Sequence, residues 1–274
     1  MTFYDEIKRY DWARVEQAIH SRTEDDVRRA LFSARPDMDD LMSLLSPAAE
    51  VFIEEMAQRA HAITQQRFGK TISLFAPLYV SNVCTNRCVY CGFNAGNSIE
   101  RLTLTPEEAE KEAKFIHDMG FRNILLVSGE APKLVDTAYF VDIVKRLRSM
   151  FPSISVEIYP MPVEGYKELG DSGVDGLVVF QETYNEELYG SLHPAGRKRD
   201  YRWRLETPDR GGEAGLRRLG LGALLGLCDW RTESFFLVLH ARYLMKKFWR
   251  SFVSISFPRM RPAAGGFQPN VVVS

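Results

Sequence analysis

From Thr71 onward the chain alternates between short apolar, β-prone runs and longer amphipathic stretches. The β-prone runs are Ile72–Val80, Asn123–Val127, Ile154–Tyr159, Gly176–Phe180, Leu219–Leu225 and Val253–Phe257. Between them, helical periodicity covers Thr105–Met119, Val135–Met150, Val163–Gly170, Asn185–Leu192, Pro208–Arg218 and a stretch from Asp229 to Phe248. A helix between successive strands leaves room for a crossover, so the strands pair in parallel rather than as hairpins. The predicted fold is therefore α/β: a (β/α) TIM-barrel-like core of about six βα units, with short strands covered on both faces.

In such a barrel the chemistry collects at the C-terminal ends of the strands. The residues there are the polar and unusual ones: Cys84, Ser128-Gly129-Glu130, Tyr159-Pro160, Gln181-Glu182-Thr183, Asp229 and Arg259. Residues 1–70 read as a separate helical region before the 71–274 core. Asp11–Ile19, Thr23–Phe32 and Asp39–Leu45 are short helix candidates. Ser46 as N-cap and Pro47 as first helical residue predict a longer helix, with Val51, Ile53, Met56, Ala60 and Ile63 on its apolar face and Gly69 as terminator. This region carries no legible chemistry and is expected to pack against the barrel.

The loop after the first strand reads Cys84-Thr-Asn-Arg-Cys88-Val-Tyr-Cys91. Three thiolates at Cys-x3-Cys-x2-Cys spacing can hold three irons of a [4Fe–4S] cluster and leave the fourth open, whereas electron-transfer clusters take four cysteines. A structural zinc site needs a second ligand pair, which is missing. A disulfide framework does not suit four cysteines in 274 residues. The fourth, Cys228, reads as a buried small apolar residue. A net charge of −1 points to neither nucleic acid nor an anionic membrane. The N-terminus has no signal-peptide pattern and no apolar run reaches membrane-spanning length. These features, with an oxygen-sensitive cluster, predict a cytoplasmic protein.

Around the rim, Gly129 permits close approach of a ligand and Glu130 offers an acceptor for a cationic amine. Glu157 and Tyr159 face one side of the third strand. A carboxyl there needs a partner, either a ligand or a core arginine. Gln181-Glu182-Thr183-Tyr184 offers polar groups for recognition. His193 reads as a loop histidine, solvated or hydrogen-bonded, and Lys198-Arg199-Asp200-Tyr201 as a charged surface, with a place over the rim as its alternative. Arg259 and Arg261, stiffened by Pro258 and Pro262, fit the binding of a substrate carboxylate, with no basis for choosing between them.

The cysteine spacing, with Tyr90 just before the third cysteine, resembles the signature of the radical S-adenosylmethionine (SAM) superfamily. Further segments resemble its tyrosine-cleaving branch in thiamine biosynthesis, the 2-iminoacetate synthases. They are Pro77–Asn82, Val179–Tyr184, Leu192-His193-Pro194 with Asp200-Tyr201, Gly222–Leu227 with Asp229-Trp230, and Ile255–Arg259. The resemblance implies that Cys84, Cys88 and Cys91 ligate the cluster and that SAM chelates the open iron. It places Ser128, Gly129, Glu130, Glu157, Tyr90 and Gln181 on the SAM surface. It implies that a deoxyadenosyl radical abstracts hydrogen from L-tyrosine, whose Cα–Cβ bond breaks to give p-cresol and dehydroglycine. A reducing electron donor and a complex with thiazole synthase are implied as well. The hydrogenase-maturation tyrosine lyase and biotin synthase share the barrel, but each carries a second cluster whose cysteines are missing here. Family members continue for roughly two more βα units. With the sequence ending at Val271-Val272-Val273-Ser274, the expectation is an open barrel, a truncated chain, and an exposed strand edge and apolar tail. The alternatives are another radical SAM enzyme acting on an amino acid, of the hydrogenase-maturation or biotin-synthase type, and an inactive iron–sulfur scaffold, which this ending raises.

Overall fold

The computed structural model describes residues 2–269. Six strands form one parallel sheet in sequential order. They are β1 (Phe75–Ser81), β2 (Asn123–Ser128), β3 (Ser153–Glu157), β4 (Gly176–Glu182), β5 (Arg218–Ala223) and β6 (Phe252–Ser256). The sheet curls into an open partial barrel, and β1 and β6 are its edges among the described residues. The Val271–Ser274 tail lies outside the described residues.

Five helices come first: α1 (Phe3–Ile7), α2 (Trp12–His20), α3 (Glu24–Leu31), α4 (Met38–Leu45) and α5 (Ile53–Phe68). Side chains set their starts. Asp11 caps α2 by accepting from Arg14 N, and Thr23 and Asp37 form capping boxes at α3 and α4. The barrel helices are α6 (Pro106–Asp118), α7 (Thr137–Leu147), α8 (Val163–Ser172), α9 (Glu186–Leu192), α10 (Tyr201–Leu205), α11 (Thr207–Glu213) and α12 (Trp230–Lys247). As the sequence predicts, Thr105 builds a capping box with Glu108 behind Pro106, and Asp229 caps α12 through Thr232 N.

The core lies between the sheet and its helices, where Ile124, Leu126, Ile154, Val156, Leu219 and Leu221 are almost fully buried. The N-terminal helices join it through α12. Phe3 stacks on His240 with ring centroids 3.8 Å apart, and Trp12 stacks on Phe236 at 5.1 Å. Arg231 of α12 donates to the carbonyls of Leu45 and Ser46 at 2.6 and 3.0 Å, fastening the end of α4.

Several expectations are corrected. The helix α1 was not foreseen, because five residues give too little periodicity to read. The first strand begins at Phe75, not Ile72, since its partner β2 starts at Asn123 opposite Phe75 and leaves residues 72–74 without a ladder. The helix expected to reach Arg218 stops at Glu213, and the left-handed Gly215 (φ 87°) turns the chain into β5. Ser46 does not cap. Its hydroxyl donates back to Ser43 O, and a 3-10 turn over Pro47–Phe52 precedes α5. Gly69 does end α5, at φ 62°. α5 itself buries none of its residues, and Ile53 and Ile63 of the expected apolar face stay exposed. Coverage on both strand faces also fails at the edges, where Phe75 and Phe252 are more than half exposed.

Candidate active site

The loop leaving β1 has little secondary structure of its own, so side chains hold it. Arg101 donates to four carbonyls, those of Asn82, Phe93, Asn94 and Asn97, at 2.7–3.2 Å. Asn94 donates to Cys88 O and Asn97 to Cys91 O and Gly92 O. Buried or half-buried carbonyls left without donors are costly, so these amides and the guanidinium define the loop's path. Its start is fixed to the end of β2, where Thr85 donates to Glu130 O through both its backbone N–H and its hydroxyl, each at 2.9 Å.

Cys84, Cys88 and Cys91 all line one cavity of about 350 Å³ at the C-terminal ends of β1–β4, and none is in a disulfide. Burial pushes the Cys88 thiol up to about 11 and raises that of Cys91. Neither is a thiolate near neutral pH until a metal displaces its proton. Ser128, Gly129 and Glu130 line the same cavity. Gly129 has no room for a side chain: an added Cβ would strike the Val83 carbonyl and lie 3.0 Å from the Cys84 Cβ. The Ser128 hydroxyl is buried with no protein partner, which marks a place for a ligand atom. Glu130 is almost buried, and its Oε2 accepts from Asn86 Nδ2 at 2.7 Å.

Glu157, Glu182, Lys198 and Arg204 also line the cavity. Glu182 is a non-glycine residue at positive φ (72°), where β4 slips register against β5. It accepts from Lys198 Nζ at 2.6 Å, and the Arg204 guanidinium lies 3.7 Å away. Burial raises Glu182, but the two cations outweigh it and hold its carboxyl below the usual range. Among the described residues Glu157 has no such ion pair. Burial, and then the Glu182 charge, push its carboxyl up to about 7. Arg204 is itself tied down, donating Nε to Phe180 O at 2.7 Å.

The cavity continues inward. Tyr79, Val127 and Glu157 line it and also the open barrel interior, a largely apolar space of about 500 Å³ walled by Phe75, Pro77, Leu125, Val178 and Phe180.

Of the residues expected from the sequence, the structure brings together the three cysteines, Tyr90, Ser128, Gly129, Glu130 and Glu157. Gln181 does not line the cavity; its side chain is buried without partners, and its neighbour Glu182 is the residue that enters. Arg259 and Arg261 are both exposed and line no part of the cavity. Lys198 is not surface charge, since its side chain is only 14% exposed. His193 is wholly buried rather than a solvated loop residue. Cys228 is half-buried and donates to the Glu233 carboxylate at 2.9 Å, so it is not a plain apolar filler. Lys198 thus takes the alternative place over the rim, while Arg204, Asn86 and Arg101 carry no signal in the sequence, because nothing in their local spacing differs from that of surface charge or turn amides.

The donor set fits the expected groups. Three soft thiol ligands share one loop, a glycine backbone with no room for a side chain sits beside them, and acidic and basic groups flank the space. A family model of the radical SAM superfamily matches residues 78–235. The chain is 45% identical over 98% of its length to the 2-iminoacetate synthase of Escherichia coli, covering 71% of that protein. It is likewise 45% identical over 99% of its length to that of Salmonella typhimurium, covering 72%. A crystal structure of HydG, a maturase of the [FeFe]-hydrogenase, superposes with TM-score 0.89 at 33% identity. That match covers 96% of this chain and 61% of that one. A methylornithine synthase structure shares the fold at TM-score 0.71 and 24% identity. No described helix is long and apolar enough to cross a membrane. On its sequence match and its three-cysteine cavity, the chain belongs to the radical SAM superfamily, whose members use a [4Fe–4S] cluster and S-adenosylmethionine.

Proposed function

We propose that the chain is a radical SAM carbon–carbon lyase that cleaves the Cα–Cβ bond of L-tyrosine to 2-iminoacetate (dehydroglycine) and p-cresol. The observation that carries this reading is the 45% identity to 2-iminoacetate synthases over nearly the whole chain. The lower identity to HydG, 33%, makes a hydrogenase-maturation role second to it.

Cys84, Cys88 and Cys91 would hold the cluster, and Ser128, Gly129 and Glu130 would meet the amino-acid end of SAM. A cluster held there would supply an electron for reductive cleavage of SAM. Asn86 keeps the Glu130 carboxylate oriented through its 2.7 Å hydrogen bond, so the acceptor is in place before a cationic amine arrives. Glu157, mostly protonated at slightly acidic pH, can donate to a ribose or substrate oxygen. Lys198 and Arg204 supply positive charge beside the cavity, and we place a carboxylate of SAM or tyrosine there rather than at the exposed Arg259 or Arg261. The apolar interior beneath Val127 and Phe180 receives an aromatic ring and keeps water from the reacting carbon. Forming methionine, 5′-deoxyadenosine, 2-iminoacetate and p-cresol from SAM and L-tyrosine takes two electrons and one proton per turnover. One electron cleaves SAM and a second, with the proton, completes p-cresol; both electrons come from a separate reducing donor. Its unstable imine product suits direct transfer to a thiazole synthase held in complex.

The test is anaerobic reconstitution with iron and sulfide, reduction, and incubation with SAM and L-tyrosine. The expected products are 5′-deoxyadenosine and p-cresol, both lost in Cys88→Ala. Deoxyadenosine without p-cresol would refute tyrosine cleavage and leave a radical SAM enzyme of another substrate. Failure to assemble a cluster would refute the reading as a whole.

A further inference from the structure

Tyr90 lies between two cluster cysteines, yet its side chain points away from solvent into a small apolar cluster with Cys88, Leu192 and Leu227. Its hydroxyl meets His193 Nε2 at 2.7 Å. His193 is completely buried, and its Nδ1 faces the Tyr189 carbonyl at 2.8 Å. A carbonyl only accepts, so Nδ1 carries the proton, Nε2 is an acceptor, and the Tyr90 hydroxyl donates to it. The tautomer is thereby set by the backbone of α9. The Tyr189 ring lies over the imidazole, centroids 4.0 Å apart, and blocks its rotation.

Two backbone bonds flank this contact: Val89 N donates to Leu192 O and Arg87 N to Ala195 O, both at 3.0 Å. At the next turn Lys198 N donates to Asn86 Oδ1 at 2.9 Å. Gly196, at φ 93°, packs on Asn86 so closely that a side chain would not fit. The segment from Tyr189 to Lys198 thus lies along the cysteine loop, and its last residue also sends its side chain to Glu182. Within Cys84–Cys91, Tyr90 is the one side chain that crosses to this segment with a buried hydrogen bond between side chains.

We propose that the Tyr90–His193 hydrogen bond is a positioning latch. It registers the Cys88–Cys91 segment on α9 before any cluster binds, so that both thiols are presented to one space. Tyr90 and His193 are positioning residues in this account and take no part in bond making. The inference rests on the reading of Cys84, Cys88 and Cys91 as cluster ligands. Losing either partner leaves a buried polar atom unsatisfied, with cluster release expected to speed up roughly tenfold.

Tyr90→Phe removes one hydroxyl and keeps the ring, so the fold is preserved. The experiment compares wild type, Tyr90→Phe, His193→Phe, the double variant and His193→Gln, whose amide oxygen can still accept from Tyr90. The first readout is amide hydrogen exchange of the apo-protein over residues 87–92 and 189–196. The second is the rate at which the reconstituted protein loses its visible absorbance to excess EDTA. The latch predicts faster exchange confined to those two segments, and cluster loss about tenfold faster in Tyr90→Phe. It also predicts at least as large an effect in His193→Phe, which removes the Nδ1 bond to the Tyr189 carbonyl as well, no further effect when Tyr90→Phe is added to it, and recovery in His193→Gln. Tyr90→Phe within twofold of wild type on both readouts, or additive single effects, would overturn it. A wild-type protein that assembles no cluster would instead bring down the cluster assignment, and the apo exchange comparison would still judge the latch.

Discussion

Lys198→Met gives the sharpest test of the site's electrostatics, because it keeps the side-chain bulk and removes one charge beside the buried Glu182. With Nζ 2.6 Å from Oε1, Coulomb attraction at an effective dielectric near 20 is about 6 kcal/mol. The Arg204 guanidinium, 3.7 Å away, retains about 4.5 kcal/mol by the same measure. The variant no longer has to desolvate an ammonium, so the net loss is smaller. We expect about 2–3 kcal/mol, below the 3–5 kcal/mol typical when a buried charge loses its only partner. For a chain of this size that is a fall in melting temperature of roughly 4–10 °C. The pH dependence carries the signature. In the wild type Glu182 is held low, so its contribution is present above the unfolded carboxyl pKa and is lost as pH falls through the folded value. In the variant, burial is offset only by Arg204 and the carboxyl rises. The gap between the two proteins should therefore be widest near pH 8 and close towards pH 4. Thermal or urea unfolding of the reduced apo-protein across that range measures it, and Lys198→Met/Glu182→Gln should be more stable than Lys198→Met alone. A gap independent of pH, or smaller than about 0.5 kcal/mol, would refute the reasoning.

Gly129→Ala forces the Val83 carbonyl or the Cys84 segment to move. It should cost about 1–3 kcal/mol in urea unfolding and weaken SAM binding by calorimetry. Glu157 has its folded pKa raised from 4.5 to about 7, so its contribution is intact below about pH 4.5 and is lost as pH rises through 7. Glu157→Gln should flatten that part of the stability profile by roughly 2–3 kcal/mol. Glu233, also pushed up to about 7 by burial, leaves a residual slope in the same window. Arg204→Gln should raise the SAM or tyrosine KM by about tenfold or more, whereas Arg259→Gln and Arg261→Gln should each stay within about threefold. A large effect confined to either exposed arginine would reassign the carboxylate contact.

The alternating pattern was enough to place all six strands: β2 and β5 bury apolar residues, as Ile124–Leu126, Leu219 and Leu221 show, whereas the edge strand β6 has no buried residue and is legible from its β-prone composition. The capping residues Thr105 and Asp229 were legible for a local reason, since cap and capped N–H lie within three residues. Strand ends were less legible. Ile72 and Leu74 look like strand in the sequence but have no neighbour to pair with. The apolar stripe of α5 likewise reads as a packing face, yet none of its residues is buried.

The cysteine spacing, the Ser128-Gly129-Glu130 turn and the resemblance they carry were properties of the sequence alone, because each is a contiguous run whose chemistry needs no partner from elsewhere. Tertiary structure decided what faces that chemistry. Lys198 reads as part of a charged surface, and Arg204 carries no signal in the sequence; the return of the chain after β4 brings both onto Glu182. A β4 register slip with a left-handed Glu182 chose that carboxylate over Gln181. His193 became the partner of Tyr90 across 103 positions of sequence. Contacts over such separations depend on how the barrel closes around the loop, and no local pattern of residues encodes that.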